Sequence, residues 1–136
     1  MIEPVRTPNT IVRSLAIGNP ADGRYVVELA RSSGGSVEAV EDEVTAAAIR
    51  AVARLEGIYP ETAGGVTLAA AAAARERGII RPGDEVVALL TGNGLKTPDA
   101  RTLGHADGVA RPGEAGLAPA IRPSLTAFEQ WLEGTI

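Results

Sequence analysis

The 136-residue sequence contains no cysteine, one histidine, one lysine and very few aromatic side chains: one Trp, two Tyr and one Phe. Each shortage removes a class of chemistry. Without cysteine there are no disulfides, no thiol nucleophile and no thiolate metal site. With His105 as the single histidine, a zinc site would have to rest mostly on carboxylates, and no metal centre is expected. A Ser-His-Asp triad would have to use His105, which sits among Gly104, Ala106 and Gly108; a solvated loop histidine is the plainer reading of that setting. The hydrophobic fraction is 45%, but it is carried by Ala, Val, Leu and Ile. That composition suits closely packed helices and strands, not a large aromatic cavity. Long apolar runs are also missing. The longest, Val66 to Ala74, is interrupted by Thr67, and it falls well short of the ~20 residues a membrane span needs.

Charge of one sign is not concentrated anywhere. The chain has 13 basic and 17 acidic residues, a net charge of −4, and no long run of either kind. It therefore lacks the footprint of a nucleic-acid or anionic-membrane binder. The opening "MIEPVRTPNT" has no signal-peptide core. A soluble, cytoplasmic protein is expected.

What is present reads as alternating helices and strands. Pro4 and Pro8 make the first 18 residues loop-like. Asn19-Pro20 offers a capping residue followed by a helix-opening proline, so a helix is expected from about Pro20 to Ser32, stopped by Gly34-Gly35. "SVEAV", Ser36 to Val40, alternates as a short strand. Asp42 opens a second helix whose Val44, Ala48, Ala51, Val52 and Leu55 share one stripe, and Gly57 ends it. Thr62 is the expected cap of a third helix running to Arg77. "RPGD", Arg81 to Asp84, is a turn. "EVVALL", Glu85 to Leu90, reads as a strand buried on both faces, as in parallel sheets. A Gly/Pro/Ala-rich irregular segment follows over 98–123, and Ser124 caps a last helix with Leu125, Phe128, Trp131 and Leu132 on its apolar face. The order implies an α/β fold. Two strands are few for a self-sufficient sheet, so the chain is expected to be part of something larger.

Three segments attract attention as sites. In open α/β sheets ligands bind beyond the carboxyl ends of strands. There, after Leu90, stand Thr91 and the turn Gly92-Asn93-Gly94, followed by the chain's only lysine, Lys96. "GNGLKT" is neither a dinucleotide fingerprint nor a P-loop; it is a ligand-contacting loop or a tight turn. In "EGIYPETAGGVT", Glu56 to Thr67, Glu61 lies at a loop-to-helix junction and Gly64-Gly65 in the first helical turn. Glycine there costs ~1 kcal/mol apiece against alanine, tolerable for close packing or for ligand approach, and Glu61 is also explained by the helix dipole alone. The third segment, "SLAIGNPADG", Ser14 to Gly23, reads locally as a helix start.

In this order, "TPNTIVRSLAIGNPADG", "EGIYPETAGGVT" and "TGNGLKT" resemble the carboxyl-terminal part of the threonine synthases, pyridoxal-phosphate enzymes of the tryptophan-synthase-β type (fold type II). The resemblance covers roughly Ile2 to Thr97 and implies an incomplete portion of a two-domain fold with a three-layer open sheet: residues 1–97 as the family part, 98–123 as the irregular segment, 124–136 as a terminal helix. Family members convert O-phosphohomoserine and water to threonine and phosphate. The resemblance implies that Thr91 hydrogen-bonds the pyridine nitrogen of the cofactor, that Gly92, Asn93 and Gly94 shape the turn around it, that Glu61 lies near the cofactor, and that Ala16, Ile17 and Gly18 form a loop near its ring. It also implies what is missing. The lysine that anchors the cofactor as a Schiff base, and the glycine-rich phosphate loop, lie ahead of the matched part in the family. Lys96 matches the lysine of "TGNGLK" and not the anchoring one, so no catalytic residue is assigned in this chain. As a lone side chain, Lys96 is expected in a surface or inter-loop ion pair.

The resemblance leads to a carboxyl-terminal portion, nearly inactive alone, whose partner is the amino-terminal half from the same gene or a separate chain. A split-enzyme subunit and a non-catalytic binding or regulatory domain derived from the family are the competing readings. An exposed strand edge would favour a homo-oligomer.

Overall fold

A computed structural model of the chain describes residues 3–97 and 122–134. Among the described residues there are four helices, α1 (Gly23–Ser33), α2 (Asp42–Glu56), α3 (Thr62–Glu76) and α4 (Leu125–Glu133), with short 3₁₀ turns at Arg13–Leu15 and Gly94–Lys96. The irregular segment expected after Asp99, with His105, lies outside the described residues except at its end.

The packed centre is the α2–α3 pair, with the Arg13–Leu15 turn resting on α3. α2 begins where Asp42 supplies a negative charge to the first turn. It ends at Gly57, whose φ of 69° is left-handed and suits glycine. The connection to α3 is short, so the two helices lie side by side as an αα-hairpin. The buried apolar residues are Val12, Ala46, Ile49, Ala69 and Ala74. The buried residues of α2 are Thr45, Ala46 and Ile49, with Thr45 and Ile49 against Gly65 of α3, and not the expected stripe. That stripe, with Val44, Ala48, Ala51, Val52 and Leu55, lines an open apolar groove of about 510 Å³ completed by Leu68 and Ala72 of α3.

Gly65 sets the approach of the pair. A Cβ there would lie 2.7 Å from Ile49 Cγ1 and 2.8 Å from the Thr45 carbonyl oxygen. At Gly64 a Cβ would lie 2.7 Å from Pro60 Cβ. The two glycines are thus explained by close packing, at the expense of helix propensity.

Two clasps hold peripheral segments to this centre. Thr10 Oγ1 donates to Asp42 Oδ1 at 2.6 Å and the Ile11 amide donates to Asp42 Oδ2 at 3.0 Å, fastening the N-terminal segment onto α2. Arg77 Nη1 donates to both Glu38 oxygens, at 2.7 and 2.6 Å, and Ser36 Oγ donates to Glu38 Oε1 at 2.7 Å. The Ser36 hydroxyl first, and then Arg77, hold the Glu38 carboxyl below its ordinary range.

Several expectations need correction. Neither Ser36–Val40 nor Glu85–Leu90 forms a strand, and the only β pairing among the described residues is an isolated antiparallel bridge between Pro60 and Asn93. The three-layer open sheet is accordingly not present among them. A strand is a property of a pair, and no neighbouring backbone here offers these segments a ladder. Most of their apolar side chains stand in solvent, with Val87 84% and Leu89 72% exposed, while Val40 and Leu90 are half-buried. α1 starts at Gly23 rather than Pro20, with Asp22 and not Asn19 at its N-cap. It buries no residue. α3 is entered from Glu61, so Thr62 is its first residue and not its cap. The expected cap of α4 is in place: Ser124 Oγ accepts from the Ala127 amide at 3.2 Å. Its Phe128 and Trp131 rings lie 6.1 Å apart. Leu125 is nonetheless 73% exposed.

Candidate functional site

The α2–α3 connection and the segment after Leu90 meet at the N-terminus of α3. The Gly94 amide donates to the Tyr59 carbonyl at 2.8 Å, and the Glu61 amide donates to the Gly92 carbonyl at 3.0 Å. These two bonds make the Pro60–Asn93 bridge. Asn93 Oδ1 then accepts from the Leu95 amide at 2.9 Å and starts the 3₁₀ turn. Thr97 Oγ1 accepts from the Thr62 amide at 3.3 Å. A hydroxyl from the second loop thus satisfies an amide in the first turn of α3 that no local cap serves.

The glycines of the second loop make room for the first. A Cβ at Gly94 would lie 2.5 Å from three carbons of the Tyr59 ring. A Cβ at Gly92 would collide with the Glu61 carboxylate and Cγ. Glu61 therefore folds over Gly92, where its side chain is only 8% exposed, and Lys96 Nζ meets its Oε2 at 3.1 Å while remaining 66% exposed. An enclosed carboxylate needs a charge or hydrogen-bond partner, and Lys96 supplies one. The lysine occupies the inter-loop ion pair expected of it.

The sequence-assigned residues fall into two groups. Glu61, Gly92, Asn93 and Gly94 form one hydrogen-bonded unit, with Thr91 at its edge. Thr91 is exposed, and its hydroxyl makes no hydrogen bond to the described residues. Ala16, Ile17 and Gly18 are not joined to that unit by a hydrogen bond or ion pair among the described residues; their loop folds back on Val5, whose amide donates to the Gly18 carbonyl at 2.8 Å. Ile17 is 60% exposed.

Two participants escaped the sequence reading, Tyr59 and Thr97. Tyr59 lies inside the quoted "EGIYPETAGGVT", but nothing in the sequence places its ring opposite Gly94. Thr97 acts on an amide 35 positions away, which leaves no local pattern. Thr62 Oγ1 is fully buried and has no hydrogen-bond partner among the described residues.

Among the described residues no helix is long and apolar enough to cross a membrane. Residues 2–92 match the family described as pyridoxal-phosphate dependent enzyme. The chain is 43% identical over 95 residues to a threonine synthase of Bacillus sp. (strain ULM1), covering 70% of this chain and 27% of that protein. It is 40% identical over 99 residues to the threonine synthase of Methanocaldococcus jannaschii, covering 73% and 24% respectively. Against the threonine synthase of Mycobacterium tuberculosis (strain H37Rv) it is 41% identical over 97 residues, covering 71% and 27%. The chain thus spans about a quarter of the length of these curated relatives. The extent of the family match, from the N-terminal segment through the α2–α3 connection to Gly92, leads to one conclusion: the chain belongs to the pyridoxal-phosphate dependent enzymes, a cofactor-dependent family of fold type II.

Proposed function

We propose that this chain is the carboxyl-terminal portion of a threonine synthase and contributes one side of a site that converts O-phosphohomoserine and water to threonine and phosphate. The observation that carries the reading is the joining of Glu61 to Gly92, which turns two family-like motifs into one structural unit. The alignments with threonine synthases run through both motifs and support the specific enzyme over its relatives.

The residues present fit the ring side of pyridoxal phosphate and not its anchorage. Thr91 offers an uncommitted hydroxyl suited to a pyridine nitrogen, and Gly92, which follows it, is hydrogen-bonded to Glu61. A hydroxyl binds that nitrogen without imposing the full positive charge that a carboxylate would. The only lysine of the chain is already engaged with Glu61. The paired glycines at 64–65 are filled by Pro60, Leu90, Ile49 and Thr45 and leave no cradle for a phosphate. When bound, the cofactor supplies an electron sink for carbanion chemistry. This chain's residues bind and orient. Its partner is the amino-terminal half, in the same polypeptide or a separate one, which carries the anchoring lysine and the phosphate loop.

The test has two arms. The chain alone is mixed with pyridoxal phosphate, treated with borohydride and analysed by peptide mass spectrometry; no stoichiometric adduct on Lys96 is expected, and finding one overturns the proposal. The chain is then co-expressed with the amino-terminal half of a threonine synthase, and phosphate release from O-phosphohomoserine is measured. Release that depends on Thr91 supports the reading; absence of release from an assembled complex removes it.

A further inference from the structure

We infer that Lys96 is a positioning residue: its ammonium holds the Glu61 carboxylate closed over Gly92 and locks the two site loops together before any other part of the protein is added. Three observations converge. First, the pair is asymmetric, with Glu61 8% and Lys96 66% exposed. The carboxylate, not the lysine, is the group that needs the contact, because an enclosed anion without a partner is costly. Second, among the described residues Lys96 is the only ion-pair partner of Glu61. Third, the backbone connection between the loops is a single bridge, not a ladder. Two amide bonds at the edge of a small structure open readily, and a side-chain lock beside them changes how often they do.

The geometry also explains the residue types. Gly92 leaves the space into which Glu61 folds. Every other basic residue of the chain is arginine. A compact ammonium on a flexible stem reaches one oxygen of an enclosed carboxylate without having to seat a planar fork. The role differs from anchoring a cofactor and from decorating a solvated surface. Its functional consequence rests on the proposed function: with the lock closed, Thr91 and Glu61 already have a fixed relation when an amino-terminal partner arrives.

Amide hydrogen exchange, read by NMR on the full chain, tests the lock directly. The Glu61 and Gly94 amides report on the bridge, and amides within α2 and α3 serve as the reference. In K96M the two bridge amides are expected to exchange about tenfold faster while the helix reference is unchanged. The side-chain carboxyl resonance of Glu61 should shift in the same variant. K96R should restore only part of the protection, because its planar fork is harder to seat, and about 0.5 M sodium chloride should reproduce part of the K96M effect in the wild-type chain by screening the exposed ammonium. Unchanged bridge exchange in K96M overturns the inference. So does an equal acceleration throughout α2 and α3, which would make Lys96 a general stabiliser. Complementation by the amino-terminal half is scored separately. A chain that shows the lock but does not complement keeps this inference and loses the proposed function; a chain that complements without the lock does the reverse.

Discussion

Gly65→Ala sets a favourable helix propensity against an unfavourable contact, and the structure says which wins. Alanine in a helix interior is favoured over glycine by ~1 kcal/mol. The added methyl would lie 2.7 Å from Ile49 Cγ1, 2.8 Å from the Thr45 carbonyl oxygen and 3.0 Å from Thr45 Cγ2. The Ile49 side chain can turn away, but the Thr45 carbonyl belongs to the α2 backbone and cannot move without the helix. Relieving that contact parts α2 from α3 by roughly half an ångström, a gap that forfeits about a quarter of each dispersion contact along the interface. Overpacking of this kind costs ~1–3 kcal/mol. Less the propensity gain, the expected net effect is a destabilisation of up to ~2 kcal/mol, with ~1 kcal/mol at the middle of the range. Urea unfolding followed by far-ultraviolet circular dichroism would register it as a midpoint lowered by about 1 M, given a slope near the small-protein lower limit of ~1 kcal/mol per molar. Ile49→Ala removes one of the three clashing groups, so Gly65→Ala should cost less in that background, with a coupling of ~0.5 kcal/mol or more. A midpoint that rises in Gly65→Ala would refute the close-packing argument; strict additivity would assign the whole cost to the Thr45 carbonyl.

Two other perturbations follow from the clasps. Asp42→Ala removes both acceptors for Thr10 and Ile11. Hydrogen bonds to a charged group contribute ~1.5–3 kcal/mol, so the N-terminal segment should open and trypsin should cleave after Arg13 much faster than in the parent. Glu38 gives a pH dependence. Its carboxyl is held low in the folded chain by Ser36 and Arg77, so its contribution is complete above the unfolded value of ~4.3 and is lost as pH falls through the lower folded value. The Glu38 side-chain carboxyl resonance, followed by NMR, should titrate below the ordinary glutamate range, and Ser36→Ala or Arg77→Ala should move its midpoint up.

The helices were readable because their signals are local. Asp42 and Gly57 bound α2, the glycines after Ser33 end α1, and Ser124 caps α4. The start of α1 was misplaced because Asn19-Pro20 forms a turn ahead of the helix, with the Gly23 amide donating to the Pro20 carbonyl at 3.1 Å. The strands failed for a different reason. Alternation and apolar runs say that a segment can enter a sheet, but not that a sheet is there to receive it, and Val86 and Val87 have no such neighbour among the described residues. The buried face of α2 was also hidden: Thr45 and Ala46 are less conspicuous than Val44 and Leu55, yet the former pair is buried while the latter is 50% and 71% exposed at the groove. At the site, Glu61 and the Gly92–Gly94 turn were found as separate motifs. Their union was invisible, because it depends on glycines opposite Glu61 and Tyr59 and on the Thr97 hydroxyl.

That union has a consequence for the order in which the chain acquires its shape. α2 and α3 are consecutive and joined by a short turn, so their contacts require little loop closure. The Thr97–Thr62 bond spans 35 positions, and the Glu61–Gly92 bond closes nearly the same loop. Closing such a loop has an entropic cost before any contact offsets it, and distant contacts form more slowly than local ones. The helical hairpin is therefore the early product of folding and the two-loop site the late one. Helical content alone is a poor assay for a competent chain, because a molecule can have its full complement of helix while Glu61 and Gly92 have not yet met.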